Sequence, residues 1–107
     1  MLSSNTTALA DRASDKPVRR ESADDYHRVI IRLNVDWRVI ECRDGIQWIL
    51  QRRQSSETIA KPDWRGVSYC RTREALIRCL ANKGCGDITP DAHANLMALP
   101  AMIGGAA

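Results

Sequence analysis

The strongest chemical signal in this chain is arginine and glutamine interleaved with tryptophan. Arg38, Arg43, Gln47, Gln51, Arg52, Arg53, Arg65 and Arg71 fall in one stretch that also holds Trp37, Trp48 and Trp64. A guanidinium is a planar fork of N–H donors that matches phosphate oxygens, and it can bond the O6/N7 edge of guanine. Glutamine can pair with the adenine edge in the same way. These eight side chains are therefore the candidate contacts to a polyanion, DNA or RNA. Long polar side chains on the outer face of a sheet also serve simply to keep an edge soluble, and composition does not separate the two roles.

Four cysteines, Cys42, Cys70, Cys79 and Cys85, raise the question of a metal. Structural zinc sites present their ligands in close pairs such as C-x2-C. Here Cys79 and Cys85 have five residues between them, Cys42 and Cys70 have no near partner, and His27 and His93 are far apart. The reading is of unligated thiols, with neither metal nor cofactor expected. The chain holds no G-x-S-x-G, G-x-G-x-x-G, P-loop or H-E-x-x-H motif. Its carboxylates fall mostly at turns, caps and loops. Glu41 is the exception, and its simplest role is as a cross-strand partner for a neighbouring arginine. An enzyme is not expected.

Charge is unevenly placed. From His27 to Lys83 there are twelve Lys/Arg against six Asp/Glu, whereas the two ends together hold four against seven. A basic folded unit favours a polyanionic partner. No stretch approaches the roughly 18 apolar residues of a membrane span. The first fifteen residues carry no apolar run of the secretory type, so a cytoplasmic setting with reduced thiols is the expectation.

The elements that must position these residues make one small domain within 107 residues. Residues 1–25 are polar and non-periodic and are expected to be disordered, with residues 26–100 folded and 101–107 frayed. Residues 27–35 alternate with β-branched enrichment, as a strand does, with Asn34 to Asp36 offering a turn or bulge. Residues 38–42 and 46–52 form a hairpin about Asp44-Gly45, the dipeptide suited to a two-residue type I′ turn. That turn sets Glu41 opposite Trp48, Ile40 opposite Ile49 and Val39 opposite Leu50. Trp37, Val39, Trp48 and Leu50 then share one face. Arg38, Gln47, Gln51 and Arg53 share the other with Ile40, Ile49 and Cys42.

A polar loop follows, then a strand over 64–70 with Gly66 as a bulge or close approach. Thr72 caps a helix from Arg73 to about Asn82, with Ala75, Leu76, Cys79 and Leu80 as its apolar stripe and Gly84 as its stop. A second helix runs over 90–99 between the Thr89 cap and Pro100. The fold class is α+β: a small three- to four-stranded antiparallel sheet on one main helix, with a short C-terminal helix.

From Trp37 to Leu80, the hairpin and the stretch SYCRTREALIRCL resemble small DNA-binding domains of three strands and a helix. Plant AP2 domains and the arm-binding domains of tyrosine recombinases have that form. The resemblance implies a sheet that enters the major groove. From Leu33 onward, WRVIECRDGIQWILQRR and WRGVSYCRTREAL are similar to short proteins of plasmids and integrative elements in rhizobia and related proteobacteria. That resemblance implies a mobile-element accessory role and no particular activity. Two readings result. One is nucleic-acid binding through the sheet arginines. The other is a protein-interaction module, an adaptor or inhibitor, using an edge strand or the hairpin face with Ile40 and Ile49. Neither involves a membrane.

Overall fold

A central hairpin organises the fold. In the computed structural model of the chain, which describes residues 18–54 and 63–104, it consists of β2 (Trp37–Glu41) and β3 (Trp48–Gln54). Glu41 pairs with Trp48, Ile40 with Ile49 and Val39 with Leu50, the register the Asp-Gly turn predicts. The turn itself differs. The Gly45 N–H donates to the Cys42 carbonyl at 2.9 Å, so its central residues are Arg43 and Asp44, and Gly45 follows at φ 70°. The Cys42 N–H then donates to the Gln47 carbonyl at 3.0 Å. Both turns are centred between Asp44 and Gly45, so the longer connection leaves the register unchanged.

Two further strands complete an antiparallel meander in the order β1-β2-β3-β4. The first, β1 (Val29–Arg32), joins the sheet beside β2. Val29 pairs with Ile40 but Ile31 pairs with Val39, so Ile30 is an extra residue. That bulge splits the alternation read from the sequence. Ile31 and Leu33 enter the main core, whereas Val29 packs on the opposite face and Val35 is 74% exposed. Asn34 shapes the β1–β2 turn, its Oδ1 accepting from the Asp36 and Trp37 N–H groups at 2.9 and 3.0 Å. The same side chain donates to the Cys85 and Asp87 carbonyls, tying this turn to the other end of the chain.

The last strand, β4 (Asp63–Cys70), also carries a bulge, since Leu50 pairs with Ser68 but Gln51 with Gly66. Gly66 is a site of close approach. A Cβ there would lie 2.6 Å from the Tyr69 hydroxyl oxygen and 3.0 Å from an Ile49 methyl.

Helix α1 (Arg73–Lys83) starts where Thr72 Oγ1 accepts from the Ala75 N–H at 3.1 Å and stops at Gly84, with φ 66° and ψ 49°. Helix α2 (Pro90–Met97) is capped by Thr89 at 3.0 Å and ends sooner than the sequence suggests. Both helices cover the same sheet face, α1 over β3 and β4 and α2 against β1. Trp37, Val39, Trp48 and Leu50 meet Leu76, Ala92 and Leu96 between these layers.

Two expectations about the ends need correction. Residues 18–25 are ordered against the sheet: Ala23 is buried and bridges Asp63, and the Trp64 N–H donates to the Ser22 carbonyl at 3.0 Å. Residues 101–104 are also held. The Arg73 N–H donates to the Ala101 carbonyl, the Ile103 N–H donates to the Arg71 carbonyl, and Ile103 packs on the core. Both segments were concealed because their main attachments are backbone hydrogen bonds, which any sequence can make. Residues 1–17 and 105–107, the remainder of the disordered and frayed expectations, lie outside the described residues.

The core thiols give the fold a pH dependence. Burial pushes Cys70 up to about 12, helped by its hydrogen bond to Cys79, and pushes Cys85 up to about 11. Below pH 9, the ordinary thiol value, both are protonated folded or unfolded, and their contribution is complete. Above it the unfolded chain releases protons first, so stability is lost as pH rises towards 11, by up to about 1.4 kcal/mol per pH unit for each thiol. Urea unfolding at pH 8.5 and pH 10 is expected to show that loss, and C70A/C85A should flatten it. Equal stabilities at the two pH values in the parent chain would refute this.

Candidate nucleic-acid interface

The sheet face away from the helices is covered over β2 and β3. Residues 18–27 cross it in two turns, with the Ala23 N–H bonded to the Arg20 carbonyl and the Tyr26 N–H to the Ala23 carbonyl. Tyr26 of this segment packs with Ile40, Cys42 and Ile49 in a second small core, flanked by Val29. The Tyr26 hydroxyl donates to the Glu41 carbonyl at 2.8 Å.

Arg38 fastens this cover. Its side chain is 0% exposed, and four hydrogen bonds spend its donors inward. Nε donates to Gln51 Oε1 at 2.7 Å and Nη1 to the Asp24 carbonyl at 2.9 Å. Nη2 donates to the Glu21 and Ala23 carbonyls at 3.0 and 2.8 Å. The guanidinium carbon lies 4.4 Å from the centroid of the Trp64 ring, whose Nε1 donates in turn to Asp24 Oδ1. Gln51 completes the set by donating from Nε2 to the Glu21 carbonyl at 2.9 Å. Burial, with Arg32 nearby, lowers Arg38 to about 10, so it stays cationic at neutral pH.

Two candidate contacts are thereby corrected. Arg38 and Gln51 are walled in by the chain itself and cannot touch a nucleic acid. The face that a groove-binding sheet would present is occupied, and Ile40 and Ile49, expected on an exposed hairpin face, are 0% and 3% exposed. Sequence reasoning missed the backbone carbonyls of residues 21, 23 and 24, because carbonyl acceptors leave no mark in a sequence. One available signal was that Ile40, Cys42 and Ile49 on the supposed outer face required a cover.

The other six candidates separate by position. Gln47 is half-buried beside the β2–β3 turn, and Arg43 is exposed there, its N–H bonded to Glu21 Oε2 at 2.9 Å. Arg71 is exposed just beyond β4, at the same end of the sheet. Arg52, Arg53 and Arg65 are exposed at the opposite end. Register sets Arg52 and Arg65 side by side on the helix-side face, while Arg53, next along β3, is opposite Trp64 and alternates to the other face. Arg52 also stands over the Trp37 ring at 5.8 Å. With Asp36, Gln54 and Val67, these three arginines line a cleft of about 630 Å³.

This cluster, like Arg43 and Arg71, has no carboxylate ion-pair partner among the described residues. Arg28 pairs with Glu41 at 3.0 Å and Arg78 with Glu74 at 3.6 Å. Glu41 thus has the cross-strand arginine partner its position suggests. No three His, Cys, Asp or Glu side chains converge as a metal site among the described residues. No helix there is long and apolar enough to cross a membrane. Comparison with family models, with curated proteins and with solved structures finds no match to this chain.

Arg38→Leu should destabilise the fold by about 3–5 kcal/mol, because three carbonyls and the Gln51 amide lose their partners in a buried site. Chymotryptic cleavage after Tyr26 should accelerate in the same variant. Arg38→Lys should rescue only part of the loss, since an ammonium cannot reproduce the planar fork. Wild-type stability and cleavage rate in Arg38→Leu would contradict the assigned role.

Proposed function

We propose that this chain binds nucleic acid through its phosphates, using Arg52, Arg53 and Arg65, as an accessory protein of a mobile element. The observation that carries the reading is three exposed cations at one end of the sheet, lining one cleft, without a carboxylate ion-pair partner among the described residues. Like charges side by side repel, so such a cluster is costly to the free protein and is relieved when an anion arrives. Its shallow cleft suits an extended polyanion that lies across the surface. Because Arg38 and Gln51 are enclosed, the contacts are to backbone phosphate, and no base-reading residue is assigned. The cleft favours neither DNA nor RNA.

A protein partner is the second reading. Beyond Asp63 and Trp64, which meet residues 22 and 23, no described strand pairs with the outer edge of β4. Tyr69 on that strand is 59% exposed. A peptide strand added there would bind with little dependence on salt.

Fluorescence anisotropy with labelled duplex and single-stranded oligonucleotides separates the readings. Neutralising three phosphates gives a log–log salt slope of about −2.7, which is roughly a 40-fold loss of affinity between 50 and 200 mM salt. Each single arginine-to-alanine change in the cluster is expected to reduce the slope by about 0.9, and Arg43→Ala should leave it unchanged. Absence of binding at 20 mM salt would end the nucleic-acid reading.

A further inference from the structure

We infer that Cys70 and Cys79 form a dithiol site that small disulfides oxidise to a Cys70–Cys79 bond. Their sulfurs lie 3.4 Å apart, one at the end of β4 and the other in the middle of α1. A disulfide needs about 2.0 Å between sulfurs, so closure requires a movement of roughly 1.4 Å, within the reach of two side-chain rotations. Cys85 belongs to the same core but has no such sulfur contact, and Cys42 is on the far side of the sheet, where its sulfur accepts from the Ile46 N–H.

Access fixes the order of events. Cys79 is half-buried, whereas Cys70 and Cys85 are 4% and 6% exposed. A small disulfide therefore meets Cys79 first. The Cys79 thiolate attacks one sulfur of RSSR and breaks its S–S bond. RS⁻ leaves and takes up a proton, and Cys79 is left in a mixed disulfide. Cys70 then gives its proton to solvent and attacks Cys79 Sγ, expelling the second RS⁻, which is protonated as well. In total two protein thiols and RSSR become one protein disulfide and two RSH, the protein losing two electrons. Because burial holds Cys70 protonated, the second step is slow at neutral pH and should accelerate about tenfold per pH unit between 7 and 9.

The sequence makes the product easy to read. Arg65, Arg71, Arg78 and Lys83 place Cys70, Cys79 and Cys85 in three different tryptic peptides. The full-length chain, fully reduced, is incubated with glutathione disulfide, blocked with N-ethylmaleimide at acid pH, digested and analysed by mass spectrometry. The expected product is peptide 66–71 linked to peptide 79–83, preceded by a glutathione adduct on Cys79 that decays into it. Cys79→Ser should abolish the link and leave Cys70 unmodified, with the far-UV circular dichroism unchanged. Cys85→Ser and Cys42→Ser should form it at the parent rate. A Cys79–Cys85 link, a Cys79 adduct that never resolves at pH 9, or thiols that remain fully reduced would each overturn the inference.

Discussion

The fold depends on one buried cation. Arg38 stands on the second face of the sheet with no carboxylate ion pair among the described residues, and desolvating it costs several kcal/mol before any bond is counted. Three backbone carbonyls, the Gln51 amide and the face of Trp64 offset that cost together. Each charge-assisted hydrogen bond adds about 1.5–3 kcal/mol net. Residues 18–27 are therefore part of the fold, and the domain is a sheet covered on both sides: helices on one, an irregular segment on the other.

That arrangement decides which arginines remain available. Arg38 points into the cover, Arg28 is spent on Glu41, and Arg43 and Arg71 are at one end of the sheet. At the far end Arg52, Arg53 and Arg65 line one cleft and make no ion pair among the described residues. The candidate interface is thus a rim of the sheet rather than its face, and the contact it supports is with phosphate. Cys70 and Cys79 lie at the other end of the sheet from Arg52 and Arg65, so the dithiol chemistry inferred for them is independent of what the arginines bind.

Much of the scaffold was legible in the sequence because the signals are local. Thr72 and Gly84 bound α1, Thr89 and Pro90 begin α2, and the Asp44-Gly45 axis fixes the register even though the turn is longer than the dipeptide suggests. The two bulges were less legible. Gly66 marked a close approach, but the extra residue at Ile30 carries no distinguishing side chain. The site was the least legible part. Arginine and glutamine on alternate strand positions look solvated until something is known to lie over them, and what lies over them here is bonded through main-chain carbonyls. Ile40, Cys42 and Ile49 pointed to a cover, but not to which segment supplies it.

Native-state hydrogen exchange tests the double-sided sheet most directly. If Arg38 makes residues 18–27 integral to the fold, the Ala23, Tyr26 and Trp64 amides should open only with the same free energy as those of Val39 and Leu50, through global unfolding. Exchange at these three positions at rates near those of an unstructured peptide, while the β2–β3 amides stay protected, would show that the segment is a loose appendage and would contradict the account.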